Sequence, residues 1–282
     1  MIANTFCHIP GIGEATERRL WSSGVLSWDD CFAGTRLPLS QARQQWLKKH
    51  LEESRTRLAA GDPGFFARLL PPRLHWRLFA AFRQALAYLD IETTGMSTWD
   101  HSITAISLYD GRSLRHYVQG RNLEDFETDV DQYRLLVTYN GKCFDLPFIQ
   151  WAFRTTLSQV HLDLRFLLKS LGFTGGLKGC EKQLGIDRGE LEGVDGIFAV
   201  LLWDEYRRTR NEKALETLLA YNAEDTVNLE RLMVTAYNLN LQGTPFAASH
   251  LLPLPGLPQI PYRSDRETIE RIRFLISDPS NS

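Results

Sequence analysis

Apolar residues in the middle of the chain occur in short runs whose length suits buried strands. The run at residues 86–91 is the first predicted strand, further strands are predicted at 103–109 and 114–118, and Asp110-Gly111 between these two is typical of a hairpin turn. Longer helical patterns then alternate with further short runs, ending in a long helix at 214–238. The predictions in between are helices at 123–133, 144–154 and 166–171 and strands at 135–139 and 161–164. Three antiparallel strands followed by alternating strands and helices predict an α/β fold, with a mixed sheet and helices on its faces.

The pattern divides the chain into four zones. Residues 1–60 contain a Gly-rich turn and two helical patterns, the second at 39–58, and predict a small helical domain. Residues 61–84 hold Gly and Pro breakers but many aromatic side chains, so we expect this connector to pack on its neighbours. Residues 85–240 form the α/β domain, and residues 241–282 form a Pro-rich arm and a terminal helix.

Composition excludes several classes of protein. With 32 Lys and Arg against 34 Asp and Glu, the formal net charge is −2, so any contact with nucleic acid must come from local patches, backbone amides or metal ions. The four cysteines are too scattered for a zinc site or a redox motif, which favours reduced thiols. Without a secretory signal or a bilayer-length apolar run, the sequence predicts a cytoplasmic protein with no membrane contact, and nothing in it indicates a protein partner.

Two carboxylates follow one another at the end of the first predicted strand. Asp90 and Glu92 are separated by one residue, so alternation places both side chains on one face. Two acids crowded there repel each other and lose hydration unless a cation lies between them. Carboxylate oxygens suit hard divalent ions such as Mg²⁺ or Mn²⁺. The pair therefore predicts a metal site, for which the rest of the chain must supply further acids.

Further acids occur at two later points. Asn140-Gly141 is a turn after the fourth strand, and Asp145 lies in the first turn of the next helix, where it either caps that helix or points to the first two acids. On the long helix, Tyr221 and Asp225 are four residues apart and share a face near the buried stripe. Taken alone, this last pair favours an ordinary exposed helix face, and only the combination of all three motifs changes the interpretation.

The motifs come in the order Asp-x-Glu, Asn-Gly-x-x-Phe-Asp and Tyr-x-x-x-Asp. Together they resemble the DEDD superfamily of 3′→5′ exonucleases, in its tyrosine-bearing branch, which has a ribonuclease-H-like fold. The strings at 161–164 and 177–185 make the YprB-type ribonuclease-H-like domain the most similar type, over residues 62–235. A single Asp-x-Glu motif is weak evidence for this resemblance. Three motifs that occur in the same order, each on a predicted strand or helix that fits, are specific evidence for it.

The resemblance implies a catalytic site. Asp90, Glu92, Asp145 and Asp225 would hold two divalent ions, Mg²⁺ or Mn²⁺, about 3.5–4 Å apart. Tyr221 would orient or deprotonate the attacking water, and orientation is the better role because a free phenol with a pKa of about 10 is a poor base at neutral pH. The products would be nucleoside 5′-monophosphates. Independently of this resemblance, single-stranded ends of DNA are the expected substrate.

Several polar residues near these motifs have two open interpretations. Thr93, Asn140 and Lys142 are candidate contacts to nucleic acid, although Lys142 also fits an ordinary solvated lysine. His161 and Asp163 end a short strand and could reach the site, but we favour a core or rim position for His161 and a helix cap for Asp163.

Two basic segments are similarly open. Lys178 and Lys182, which follow Gly175-Gly176, fit either a loop that binds a nucleic-acid strand or a solvated helix start. Residues 73–77 combine basic and aromatic side chains, which suits stacking on single strands, but we favour packing for them.

The first zone contains a second resemblance. Residues 8–20 are similar to the hairpin and second helix of a helix-hairpin-helix motif, which would present amides near Gly11 and Gly13 to phosphate, with Arg18 and Arg19 adding contacts. Only nine residues precede the hairpin, too few for a full first helix, and a Gly-rich turn between packed helices is the alternative. If the motif binds nucleic acid, DNA is favoured over RNA.

Three functions follow, in order of preference. The first is a metal-dependent 3′→5′ exonuclease acting on DNA, the second an exoribonuclease of the same polarity, and the third a non-catalytic nucleic-acid-binding module. Because the metals would act on the phosphate, the motifs of the α/β domain do not distinguish DNA from RNA as the substrate. All four acids are present, which argues against the inert module.

Overall fold

The computed structural model describes residues 1–186 and 196–277, and the chain forms two compact units. The first unit consists of residues 1–86 and 235–253. The second consists of residues 87–234 together with the described residues from 254 onward. The predicted arm at 241–282 is therefore divided between the two units.

Short helices build the first unit. They are α1 (Glu14–Ser22), α2 (Gln41–Ala59), α3 (Pro63–Leu69) and α4 (Phe79–Phe82), with 3-10 turns at Ile2–Asn4, Asp29–Cys31, Pro72–Leu78 and Arg83–Ala85. The helix expected at 39–58 is confirmed, and the connector expected at 61–84 belongs to this unit. Its aromatic side chains are buried, as expected: Phe66, Trp76, Phe79 and Phe82.

The Gly-Asp-Pro-Gly segment begins a helix as well as interrupting one. The side chain of Asp62 accepts a hydrogen bond from the amide of Phe65 at 3.0 Å, and Pro63 is the first residue of α3. An aspartate suits the N-cap because its carboxylate satisfies a free amide, and proline suits the first helical position because no donor is needed there. The segment that was interpreted as a helix breaker therefore also starts α3, which the sequence analysis did not predict.

A buried ion pair connects distant parts of the first unit. Oε1 of the fully buried Glu17 accepts hydrogen bonds from the hydroxyl of Thr5 and from the amides of Phe6 and Cys7. Arg77, also buried, lies 2.8 Å from Oε2 of Glu17 and donates to the hydroxyl of Thr5. Packing is thus the correct interpretation of Arg77, and Glu17 is a structural residue rather than part of a phosphate-binding helix face.

A mixed sheet forms the centre of the second unit. Its strands are β1 (Leu86–Thr93), β2 (Ile103–Tyr109), β3 (Leu114–Val118), β4 (Leu135–Thr138) and β5 (Val160–Asp163), in the spatial order β3-β2-β1-β4-β5. β1 pairs antiparallel with β2, β2 pairs antiparallel with β3, and β4 pairs parallel with β5. The expected strands and the mixed character of the sheet are confirmed.

Helices cover this sheet. The described ones are α5 (Asp125–Val130), α6 (Asp145–Phe153), α7 (Leu164–Ser170), α8 (Gly176–Gln183), α9 (Gly196–Thr209), α10 (Glu212–Leu241) and α11 (Arg266–Ser277). The long helix expected at 214–238 is α10, whereas α9 was not predicted. None of the helices among the described residues combines the length and the hydropathy that a bilayer crossing requires. All four cysteines are free thiols.

Strand alternation separates two hydrophobic clusters. Ala87, Leu89 and Ile91 pack with apolar residues of α5 and α6. Ala105, which lies opposite Glu92 in the β1–β2 register, belongs to the other cluster, with residues of α9, α10 and α11. The even-numbered positions of β1 therefore face the cluster that contains α10.

A β-bulge interrupts the β1–β2 ladder where β1 ends. Glu92 pairs with Ala105, but the next residue, Thr93, pairs with Ile103, so one extra residue of β2 is accommodated there. Bulges bend a strand and change the direction of the side chains around them, and they are common beside functional sites. The bulge in this sheet lies directly next to the second of the two strand carboxylates.

We expect the Arg77→Met variant to lose about 3–5 kcal/mol of unfolding free energy, because the Glu17 carboxylate would stay buried without its counter-charge. The matched change Arg73→Met removes a guanidinium that pairs with Glu14 at the surface, and it should cost less than about 1 kcal/mol. Urea unfolding followed by tryptophan fluorescence compares the two variants. Equal losses would contradict the structural role of the buried pair.

Candidate metal centre

Three carboxylates converge beside the first strand. Asp90 and Glu92 come from β1 and Asp225 from α10, and one oxygen atom of each lies within 4.8 Å of the other two. Glu92 is 8% exposed and Asp225 5%, while Asp90 is partly buried. Carboxylates that lie this close together with little access to water repel one another, so a cation is the natural occupant of the space between them.

Asp145 lies on the same cavity, although it is not one of these three grouped acids. It is the first residue of α6 and is 3% exposed. The turn before α6 needs its particular residues: Asn140 has a φ of 66°, and a Cβ on Gly141 would lie 2.1 Å from Oγ1 of Thr138. This turn therefore fixes where α6 begins, and with it the position of the Asp145 carboxylate.

The cavity has a volume of about 530 Å³. Its wall contains all the residues predicted to be catalytic: Asp90, Glu92, Asp145, Tyr221 and Asp225. Thr93 and Asn140 also line it, and so do Ile197 and Val200 of α9. The structure thus brings together residues from four separate parts of the sequence around one space.

Two of the acids, Asp90 and Asp145, have a raised pKa and hold their protons more tightly than free carboxyls do. Burial raises the pKa of Asp90 well above its usual range, and the charges of Asp145, Glu92 and Asp225 raise it further. Burial also raises the pKa of Asp145 to about 7, with a smaller contribution from the charge of Asp163 and opposing hydrogen bonds from backbone amides. A bound cation would reverse this balance by favouring the charged carboxylates, so metal binding here should release protons.

The candidate nucleic-acid contacts differ in where they lie. Thr93 is buried and its hydroxyl donates to the carbonyl of Gly95 at 2.6 Å. Oδ1 of Asn140 accepts from the guanidinium of Arg165, so its side chain is already engaged at the cavity wall. Lys142 is exposed, is not part of the wall, and has its ammonium 5.9 Å from the ring centroid of Phe166.

Asp163 and His161 have supporting positions. Asp163 accepts hydrogen bonds from the amide of Arg165 at the start of α7 and from the amides of Asn140 and Lys142, which ties the turn to β5. Nε2 of His161 lies 2.8 Å from Oγ1 of Thr138, and burial lowers the pKa of this histidine to about 4. The helix cap expected of Asp163 is confirmed, and His161 is half-buried, which fits the expected core or rim position.

The glycines of the proposed hairpin lie in the first unit. Gly11 has a φ of 82°, in the left-handed region that favours glycine, and Gly13 is the N-cap of α1. The described segment before these glycines contains the 3-10 turn Ile2–Asn4. Glu14 of the same helix pairs with Arg73.

Comparison with known proteins gives a family for the chain. The sequence profile of the RNase_H superfamily matches residues 87–237, which is more than half of the chain. This chain belongs to the RNase_H superfamily. The expected ribonuclease-H-like fold, with a mixed sheet and flanking helices, is therefore confirmed. No curated protein matches this RNase_H-superfamily chain.

A solved structure is also similar to this RNase_H-superfamily chain. It is the family B DNA polymerase from the hyperthermophilic archaeon Pyrobaculum calidifontis, with a TM-score of 0.43 and 14% sequence identity. The match covers 57% of the present chain and 26% of the polymerase, so it spans about a quarter of the polymerase's length.

The donor set fits the divalent ions used by RNase H-like nucleases. Every grouped ligand is a carboxylate oxygen, which Mg²⁺ and Mn²⁺ prefer, and no cysteine or histidine belongs to the group among the described residues. Burial is the largest cause of the raised pKa of Asp90, and the charges of Asp145, Glu92 and Asp225 add a repulsion that a cation would relieve. The acidic cluster of this RNase_H-superfamily chain is thus a candidate metal centre.

The sequence analysis missed one supporting residue, Asn222, and did not predict the partner of another, Lys178. Nδ2 of the fully buried Asn222 donates to Oδ2 of Asp90 at 2.7 Å. Nζ of Lys178, which lies half-buried in the first turn of α8, donates to the hydroxyl of Tyr221 at 2.8 Å. A signal for Asn222 existed, because it lies one turn after Leu218 on the buried stripe of α10, whereas the partner of Lys178 could not be read from spacing.

We expect Asn222→Ala to weaken metal binding by about 10- to 100-fold, because the hydrogen bond that orients the Asp90 carboxylate and lowers its pKa is lost. Isothermal titration calorimetry with Mn²⁺ measures the affinity.

Asn228→Ala is the matched control for this measurement. Asn228 is also a buried asparagine of α10 and donates to a buried carboxylate, that of Glu181, at 2.9 Å. This control should lose stability but keep its metal affinity. Equal loss of affinity in both variants would contradict the proposed role of Asn222.

Proposed function

We propose that this chain is a metal-dependent 3′→5′ exonuclease that hydrolyses DNA, with single-stranded ends preferred, and releases nucleoside 5′-monophosphates. The observation that carries the proposal is the convergence of Asp90, Glu92 and Asp225 on a cavity that Asp145 also lines. The order of the three motifs and their resemblance to the tyrosine-bearing DEDD exonucleases support the 3′→5′ direction. The hairpin around Gly11 and Gly13 supports DNA over RNA.

The acids would act as ligands. Asp90, Glu92, Asp145 and Asp225 would hold two divalent ions, which would supply charge neutralisation at the phosphate and activation of a water. Asn222 keeps Asp90 in one orientation, and the turn at Asn140 sets the position of Asp145. The chain thus contributes a fixed array of oxygen donors that needs little rearrangement when substrate arrives.

Tyr221 would position the nucleophile. Tyr221 lines the cavity, and its hydroxyl accepts a hydrogen bond from Lys178, which holds the phenol in one position. From there the hydroxyl can hold a water in line with the scissile P–O3′ bond. Attack on phosphorus breaks that bond, leaves a 3′-hydroxyl on the shortened strand, and places the terminal phosphate on the released nucleotide.

We expect Asp90→Asn and Asp225→Asn each to slow the shortening of 5′-labelled single-stranded DNA by at least about 10²-fold in Mg²⁺ or Mn²⁺, because each removes a charged ligand. Asp100→Asn is the matched control, since Asp100 is exposed on the loop after β1 and does not line the cavity. Denaturing gel electrophoresis shows the length and the polarity of the products.

Other outcomes would change the proposal in defined ways. Faster decay of a matched RNA strand would favour an exoribonuclease. Binding of either strand without shortening, in both metals, would favour a non-catalytic module. Full activity in Asp90→Asn would contradict the assignment of the cavity as the active site.

An exposed aromatic pair supports a preference for single strands. Trp99 and Trp151 are 76% and 51% exposed, and their ring centroids are 4.6 Å apart. Trp99 lies on the loop that carries Met96 to the cavity wall, and Trp151 is on α6, the helix that begins with Asp145. Unpaired bases stack on such rings, whereas bases within a duplex are already stacked on each other.

Combining Trp99→Ala with Trp151→Ala should raise KM for single-stranded DNA by roughly ten-fold, because a stacking platform worth about 1–3 kcal/mol per base is removed. Phe274→Ala removes an exposed aromatic ring from α11 instead and should leave KM unchanged. Initial rates over a range of DNA concentrations separate the effects on KM and kcat. An unchanged KM in the double variant would contradict the stacking role.

A further inference from the structure

A second cavity, in the first unit, is lined by three arginines. It has a volume of about 500 Å³, and its wall contains Arg19 from α1, Arg36 from the segment before α2, and Arg43 from α2. The other described residues of the wall are uncharged: Leu37, Pro38, Leu39, Ser40 and Gln44. All three arginines are exposed.

These guanidinium groups differ from other arginines of the same unit. Arg55, Arg57 and Arg77 each pair with a carboxylate. Within the described parts of the chain, the side chains of Arg19, Arg36 and Arg43 have no such partner. Three positive charges therefore share one concave surface without compensation, in a chain whose formal net charge is −2.

The wall of this cavity is held in shape by uncharged contacts. Nε2 of Gln44, on α2, donates to the carbonyl of Leu39 at 2.8 Å, and Leu37 of the wall is largely buried. The segment that carries Arg36 is thus attached to the helix that carries Arg43. A concave surface with a fixed backbone and several guanidinium forks is suited to phosphate oxygens, which each fork can bind through two hydrogen bonds.

We propose that the Arg19–Arg36–Arg43 cavity binds the phosphodiester backbone of a nucleic acid strand, at a site additional to the acidic cavity. The choice of ligand rests on the proposed function, and the charge of the cavity supplies the complementarity. Backbone contacts of this kind carry no sequence preference, so the site would add affinity for long strands of any sequence.

The test compares two double variants of the full chain that remove the same charge. Arg36→Gln with Arg43→Gln should weaken binding of a long single-stranded oligonucleotide by about ten-fold or more, and should reduce the slope of log affinity against log salt by about 1.4. Arg55→Gln with Arg57→Gln removes two paired guanidinium groups and should leave both quantities unchanged. Fluorescence anisotropy in the presence of a chelator measures binding without hydrolysis.

The remaining outcomes of this binding experiment each either support or overturn the proposal. Equal losses in both double variants would overturn the proposal, because net charge alone would then explain the effect. Unchanged binding in Arg36→Gln with Arg43→Gln would also overturn it, and hydrolysis by the unmodified chain would show that the nuclease function survives. Selective loss of binding together with no hydrolysis in any metal would keep this site and reject the nuclease function.

Two competitors separate the possible sources of negative charge. Displacement of the oligonucleotide by low concentrations of inorganic phosphate would overturn the proposal in favour of a small-anion site. Equal displacement by polyglutamate would overturn it in favour of an acidic protein partner. Resistance to both competitors supports the nucleic acid backbone as the ligand.

Discussion

The mutual repulsion of buried carboxylates is the constraint on which the second unit depends. Asp90 and Glu92 share a face of β1 because of the pleat, and α10 adds Asp225 to the same face. Replacing these carboxylates with apolar side chains would remove the site. Their negative charge can be neutralised only by a cation or by protons. Burial raises the pKa of both Asp90 and Asp145, and at Asp90 the charges of Asp145, Glu92 and Asp225 raise it further. The surrounding cores of β1, α6 and α10 therefore hold together a group of side chains that would otherwise move apart.

Much of the second unit could be predicted from the sequence because its signals are local. The strands are apolar runs of the right length, and the common face of Asp90 and Glu92 follows from alternation alone. The start of α6 at Asp145 follows from the Asn-Gly turn before it. α9 could also have been predicted, because its buried residues repeat at helical spacing: Phe198, Ala199, Leu202, Trp203 and Tyr206. That helix was missed although its pattern is present.

Other features depend on contacts that spacing cannot reveal. Lys178 and Tyr221 come from different helices, and their hydrogen bond exists only because the chain folds back on itself. Arg77 reads as a basic residue in an aromatic segment, and only burial shows that it neutralises Glu17. The three arginines of the second cavity likewise come from separate elements, so no basic run marks them in a chain of nearly balanced charge. Long-range pairs of polar groups thus set the limit of what the sequence alone could predict.

The pleat of β1 and the bulge after Glu92 also restrict which insertions and deletions this strand can accept. Inserting or deleting one residue between Leu86 and Asp90 would exchange the two faces of the strand beyond it, so that both carboxylates would face the cluster that contains Ala87, Leu89 and Ile91. A substitution at one of those apolar positions alters only local packing. β1 can therefore accept changes of residue far more easily than changes of length.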